Sequence, residues 1–315
     1  MTDPLDLLGV LPFTLTSAAM RGVTEDSIRA LLAAAKVRRV LRGVYVAAGV
    51  PDDLELRAAA AALIAPPGTV VCGRTAAWLF GVDALAMGAH RSLPEIDLMV
   101  PAGRSASRRA GVFGSSGPLT DRDTVHVGTV PVTAPARTAA DLARLLPRPH
   151  ALAALDAMLR LRVVCAGEVQ DLLGEFAGYR GVVQARELVR LASPLAESPQ
   201  ESRARLRCVD AGFPTPEPQV IVRDGDGRFL ARLDMGWRLL LRALEYDGDE
   251  HHSSPKDQEH DRSRRDHVEA RGWGLAVVTA REVLSRGLVF ERIVADLIAL
   301  PYQLSSHHPS RGGWD

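Results

Sequence analysis

LDMGWRLLLRALEYDGDEH, residues 233 to 251, decides how this chain is read. It places Asp234 at the end of one strand-like run. It places Glu245 and Asp247 at the end of the next, with His251 four residues on. Alternate side chains of a strand share a face, so Glu245 and Asp247 are expected to point the same way. If the two runs pair as a hairpin, Asp234 joins them. Carboxylates converging at a strand end repel one another unless a positive charge lies between them. Hard oxygen ligands suit Mg²⁺ or Mn²⁺, so the pattern points to metal-assisted hydrolysis of a phosphodiester.

Outward from this stretch, the last third of the chain alternates helical and strand-like segments. ESRARLRCVDAG reads as a helix closed by Gly212, and it carries Glu201. PQVIVRD, RFLARLDMGW and LLLRALEYDG read as three strands, with DGDGR as the hairpin turn between the first two. SPKDQEHDRSRRDHVEARG is a polar helix carrying Arg264. GLAVVTA is a buried strand, and REVLSRGLVFERIVADLIAL is a helix or helix pair. SPLAESP, rich in Ser and Pro, marks the boundary in front of this region.

The opening fifty residues read as helix, turn, helix and a basic two-stranded wing. Thr24 caps TEDSIRALLAAA, with Glu25 and Asp26 in the first turn where the helix dipole favours acids. Gly43 suits a tight turn in KVRRVLRGVYVAAG. There Lys36, Arg38, Arg39 and Arg42 form a basic cluster able to neutralise phosphates. Residues 51–147 mix helices (LELRAAAAALI, RTAAWLFGV, RTAADLARLL) with strands (TVVCG, EIDLMVP, VHVGTVPVT), and AGRSASRRAGVFGSSG reads as a loop. Structural roles are expected for Arg74 and Asp97. Residues 148–196 read as a helical connector, and 303–315 as a tail.

The expected organisation is therefore α+β and α/β multidomain. It comprises a winged helix over 1–50, a mixed α/β region over 51–147, the connector over 148–196, and an αβββαβ core over 197–302. The 315 residues are 47% hydrophobic and 24% charged, enough for several cores. Formal net charge is zero, so any nucleic-acid footprint is local rather than global. No apolar run is long enough to span a bilayer. Cys72, Cys165 and Cys208 lack metal-ligand spacing and read as buried residues of a reducing cytoplasm. Oligomeric state has no signature in the sequence.

SPQESRARL, LDMGW, LEYDGDEH, DRSRR and RGWGLAVVT, in that order, resemble the PD-(D/E)XK (restriction-endonuclease-like) core, most closely the Vsr-like endonucleases. The resemblance implies a metal site of Asp234 and Glu245 with Glu201 beside it, and a phosphate steadied by Arg264. Asp247 stands where many members carry lysine; Vsr-like enzymes also lack that lysine and use a nearby histidine, which makes His251 the candidate general base or leaving-group acid. RGVTEDSIRALLAAAKVRRVLRGVYV, GRTAAWLFGV and PARTAADLAR are similar to the N-terminal region of AbiEi-type antitoxins, in which a winged helix binds DNA. Two functions are thus implied. One is a metal-dependent DNA endonuclease targeted by a winged helix. The other is a DNA-binding regulator or antitoxin-like protein whose nuclease-like domain lacks chemistry. The residues do not distinguish DNA from RNA.

Overall fold

The structure, a computed structural model, describes residues 4–84, 94–108, 110–248 and 255–298, the side chains of 255–261 excepted. It is a mixed α/β, multidomain chain of two units, Met1–Asp141 and Leu142–Asp315. No helix among the described residues is long and apolar enough to cross a membrane.

The first unit begins with α1 (Pro4–Leu8), α2 (Leu15–Met20), α3 (Glu25–Ala33) and the antiparallel hairpin β1 (Val37–Leu41) and β2 (Val44–Ala47). Thr24 caps α3 as expected, its hydroxyl accepting from Ser27 N–H at 3.2 Å. Gly43, at φ +85°, supplies the left-handed turn between β1 and β2. Phe13, Ala18, Val23, Ile28 and Val37 make a small core beneath these elements.

Next come α4 (Leu54–Ile64), β3 (Val70–Val71), α5 (Gly73–Leu79), β4 (Ile96–Pro101), β5 (Val112–Gly117), β6 (Thr124–Val127), β7 (Val130–Thr133) and α6 (Pro135–Leu145). The strands form one mixed sheet in the order β5-β4-β3-β7-β6. Two expectations are corrected here. The segment read as a loop contains β5, paired parallel to β4 from Ile96↔Val112 to Pro101↔Gly117. Its glycines and serines hid it, yet the sheet needs them. A Cβ on Gly114 would lie 2.3 Å from the Ser107 carbonyl oxygen, and Ser115 Oγ donates to Leu98 O. VHVGTVPVT is likewise a hairpin, turned at Gly128. Arg74 and Asp97 do serve structure. The half-buried Asp97 carboxylate accepts from Arg74 N–H (2.8 Å) and Thr75 N–H (3.3 Å), capping α5 from a neighbouring strand.

The second unit holds α7 (Arg148–Arg160), α8 (Ala166–Glu175), α9 (Val182–Leu191), α10 (Pro199–Asp210), β8 (Glu217–Arg223), β9 (Phe229–Trp237), β10 (Arg242–Asp247), α11 (Pro255–Glu269), β11 (Gly274–Thr279), α12 (Ala280–Val283) and α13 (Val289–Ile298). The sheet order is β11-β10-β9-β8; β8, β9 and β10 are antiparallel, and β11 runs parallel to β10. One core joins Met235 and Leu244 to Ala204 and Cys208 of α10, Val283 of α12, and Phe290 and Val294 of α13. Another joins Val220, Leu233 and Ala243 to Val268 of α11 and Trp273. Cys72 and Cys208 are buried, but Cys165 is exposed, because it starts α8, where its N–H donates to Glu168.

Helix α10 is buried although it carries Arg203, Arg205 and Arg207, each at most 5% exposed. A buried guanidinium needs partners for most of its donors; the Nε groups of Arg203 and Arg205 find none, while their terminal nitrogens do, those of Arg203 on Gln200 and His150. Arg205 pairs with Asp156 of α7 at 2.7 Å and donates to the Leu191 carbonyl at the end of α9. Arg207 grips Glu291 with two nitrogens (2.8 and 2.9 Å) and donates to the carbonyls of Glu282, Val283, Ser285 and Gly287. These carbonyls run from the end of α12 into the segment before α13, where a helix end leaves oxygens to be satisfied. Arg207→Ala strands the buried Glu291 carboxylate together with these oxygens. It is expected to lower unfolding free energy by about 3–5 kcal/mol, read in a denaturant titration.

Candidate functional site

Strands β9 and β10 pair through Arg242↔Trp237, Ala243↔Gly236 and Leu244↔Met235. Their backbones run close, since a Cβ on Gly236 would lie 2.6 Å from the Arg242 carbonyl oxygen. The pairing ends at Leu244↔Met235, and the next residues on the two strands, Glu245 and Asp234, are close enough for the Glu245 charge to act on Asp234. Here the ladder stops. Tyr246 N–H donates to Asp234 Oδ2 at 2.8 Å, so a side-chain carboxylate takes the place of a backbone acceptor.

Helix α10 delivers the third acid. Ser198 caps it, accepting from Glu201 N–H at 3.1 Å, and the Glu201 side chain turns back to accept from Glu197 N–H at 3.0 Å. The same oxygen, Oε2, accepts from Gln219 Nε2 at 2.9 Å. Gln219 sits in β8 at φ +53°, the left-handed region that a residue with a Cβ rarely occupies. A non-glycine held there beside a cluster of acids marks strain at a candidate site. Glu245 is held by Arg264 of α11, with Nη1 to Oε1 at 2.8 Å and Nη2 to Oε2 at 3.3 Å, while Arg265 Nε lies 4.0 Å from Oε2.

The electrostatics follow. The Asp234 carboxyl is pushed up to about 6 from its ordinary 3.8. Burial is the largest cause, and the negative charges of Glu201 and Glu245 act in the same direction. The Tyr246 N–H and the Arg264 guanidinium oppose them.

Glu201, Asp234 and Glu245 thus come into one electrostatic neighbourhood, with Glu201 and Glu245 at most 8% exposed. Asp247 is exposed at the end of β10, where its register partner is Thr279. Arg264, expected to steady a phosphate, pairs with Glu245 at 2.8 Å in this structure. His251 lies outside the described residues. Gln219 and Arg265 escaped the sequence reading. Gln219 sits in an ordinary-looking strand run, with no glycine to flag its left-handed backbone.

Among the described residues, no group of three His, Cys, Asp or Glu side chains is arranged to hold a metal ion. The donor chemistry nevertheless suits a hard divalent cation: three carboxylates, with Asp234 pushed up chiefly by burial and then by its acidic neighbours.

In the first unit, Lys36, Arg39 and Arg42 are exposed on and beside the β1–β2 hairpin. Arg38 departs from the expected cluster. It is half-buried, donates to the Val50 carbonyl at 2.8 Å and lies 3.8 Å from Asp52, so its charge is turned toward its own unit.

Residues 69–191 match the family model of the AbiEi antitoxin C-terminal domain. The match takes in GRTAAWLFGV and PARTAADLAR, and runs from the five-stranded sheet through α9, across both the mixed region and the helical connector expected from sequence. Two proteins from Mycobacterium tuberculosis strains, uncharacterized protein Rv2248 and uncharacterized protein MT2308, are each 36% identical over 248 residues, covering 78% of this chain and 86% of theirs. A crystal structure of RV2827C protein from Mycobacterium tuberculosis superposes with a TM-score of 0.41 and 16% identity, over 62% of this chain and 75% of that one.

The raised Asp234 value sets a stability profile. A carboxyl whose folded value exceeds its unfolded one favours folding when protonated. That contribution is fully present below about pH 4 and is lost as pH rises through about 6. Asp234→Asn removes the penalty. It is expected to be more stable than the parent near pH 7 by on the order of 2 kcal/mol, with the difference vanishing below about pH 4 in paired denaturation curves.

Proposed function

The chain belongs to one family with these two mycobacterial proteins, and we propose that it is a metal-dependent DNA endonuclease whose first unit reads DNA and whose second hydrolyses a phosphodiester. The observation that carries this reading is the meeting of Glu201, Asp234 and Glu245, from α10, β9 and β10, where the β9–β10 ladder ends. Mutually repelling acids are costly in a domain that uses them only for packing. The element order α10, β8, β9, β10, α11, β11 supports a PD-(D/E)XK assignment of this unit. The order α2, α3, β1, β2, with exposed Lys36, Arg39 and Arg42, supports a winged helix that grips the phosphate backbone.

In this reading Asp234 and Glu245 would hold Mg²⁺ or Mn²⁺, with Glu201 in the same acid cluster. Such an ion would supply Lewis acidity at the phosphate and a bound water of lowered pKa. Arg264 has two anions to choose between. With substrate present it leaves Glu245 for a non-bridging phosphate oxygen, and this exchange frees the carboxylate while neutralising the substrate. Gln219 fixes the Glu201 carboxylate so that it cannot swing away. His251, on the chain that follows β10, is the candidate to accept the proton of the attacking water.

The second reading is a DNA-binding regulator of antitoxin type, with a nuclease-like unit that performs no chemistry. Two observations favour it: the AbiEi antitoxin C-terminal domain match at 69–191, and the Arg264–Glu245 pair that occupies both Glu245 oxygens.

Plasmid incubated with the protein and Mg²⁺ or Mn²⁺ separates the two. The endonuclease predicts relaxation of supercoiled DNA that falls about a hundredfold or more in Asp234→Ala, several kcal/mol of barrier. No relaxation across metals and DNA substrates, with a mobility shift intact, selects the regulator. In both readings, alanine at Lys36, Arg39 and Arg42 together is expected to weaken the mobility shift about tenfold or more, and to flatten its salt dependence.

A further inference from the structure

Among the described residues, the buried arginines are Arg137, Arg148, Arg203, Arg205 and Arg207. All but Arg203 meet one or two carboxylates within 3.4 Å. Arg203, on α10, is 5% exposed and has neutral partners instead. Its Nη1 donates to Gln200 Oε1 at 2.6 Å, and its Nη2 to His150 Nδ1 of α7 at 3.0 Å. A guanidinium only donates, so His150 Nδ1 carries no proton in this contact. Arg203 Nε has no partner among the described residues.

A buried cation without a counter-ion is costly. Burial pushes the Arg203 guanidinium below its ordinary pKa, and Tyr246 of β10 opposes this only in part. The surroundings favour an anion. Gln200 lies in the first turn of α10, where the helix dipole attracts negative charge. Gln200, His150 and Tyr246 are each half-buried, so solvent lies one side chain away from the guanidinium. The same two elements carry the acids: Glu201 stands two residues before Arg203, and Glu245 directly before Tyr246. Charge balance at this depth calls for a small, multiply charged anion. A phosphodiester inside a strand has a sugar on either side and is too bulky to reach so deep a group, whereas a terminal phosphate is not.

We propose that Arg203, with Gln200 and His150 beside it, is a binding site for a phosphate monoester dianion or its free phosphate equivalent. The Gln200 amide holds Nη1 until the anion takes its place, and charge-assisted hydrogen bonds then replace neutral ones. Two sources share this chemistry: the phosphorylated end of a nucleic-acid strand, and free phosphate. Only the first rests on the nucleic-acid reading of the acid cluster, and binding here requires neither metal nor cleavage.

The test is titration of the full-length protein, in EDTA, with a short single-stranded oligonucleotide bearing either a phosphate or a hydroxyl at its 5′ end, and with inorganic phosphate as a separate probe. The phosphorylated end is expected to bind about tenfold or more tighter than the hydroxyl end, and inorganic phosphate to compete that difference away. Gln200→Glu sets a carboxylate in the position that now lies 2.6 Å from Nη1. It should abolish phosphate binding and raise the melting temperature, because the guanidinium gains a permanent counter-ion. Arg203→Gln should lose phosphate binding and melt no lower than the parent, since it removes an uncompensated buried charge. Inorganic phosphate that binds and is lost in both variants, with no preference between the two strand ends, keeps the site and assigns it to free phosphate. Equal affinity for the two ends together with no saturable phosphate binding up to about 10 mM overturns the proposal, as does phosphate binding unchanged by Gln200→Glu. A protein that binds phosphate through Arg203 but never nicks DNA keeps this inference and loses the endonuclease reading.

Discussion

The second unit depends on satisfying the arginines of α10. A helix of sequence PQESRARLRCVD has no apolar stripe wide enough to be buried by the hydrophobic effect alone. It is buried because Asp156, Glu291 and a ring of helix-end carbonyls receive its guanidinium groups. Arg148 at the start of α7 adds the reverse connection, reaching Asp210 at the end of α10 and Glu187 of α9. The pairs demand accurate geometry, since a buried charge left unpaired costs several kcal/mol. Holding α10 in this way fixes where Glu201 stands, and with it the distance between Glu201 and the acids of the sheet.

The candidate site is built on a second tension. Glu201 and Glu245 are close enough to push Asp234 up, and the protein meets this in two ways: Arg264 neutralises Glu245, and Asp234 shifts toward its protonated form. Each device is reversible. An arginine facing a carboxylate can turn to a phosphate, and a carboxyl that titrates near 6 is ionised at neutral pH but held at a cost. Stability given up at one place, where charges are kept ready for a ligand, is a general feature of functional sites.

Much of the fold was legible because it rests on local chemistry. Thr24 and Ser198 precede helices they cap, DGDGR turns β8 into β9, and the apolar runs around Asp234 and Glu245 pair as the hairpin their alternation implies. β5 was illegible because Gly114 is required by a neighbour, the Ser107 backbone, and Ser115 by the Leu98 carbonyl, rather than by strand propensity. Arg38 was misplaced for a similar reason. Its sequence neighbours are basic, and its partners, Val50 and Asp52, become neighbours only when the hairpin closes.

The sequence by itself determined which residues could meet. The spacing of Asp234 and Glu245 about a short turn, and of Glu201 from its cap at Ser198, follows from the repeats of strand and helix. Tertiary structure alone decided what these residues do with one another. Arg264 lies on a helix 19 residues beyond Glu245, and Gln219 on a strand 18 residues beyond Glu201. Neither separation has a period that a pattern could carry. Whether a carboxylate ends beside an arginine, an amide or another carboxylate is set by how the layers pack, and the field at Asp234 is a sum over all of them.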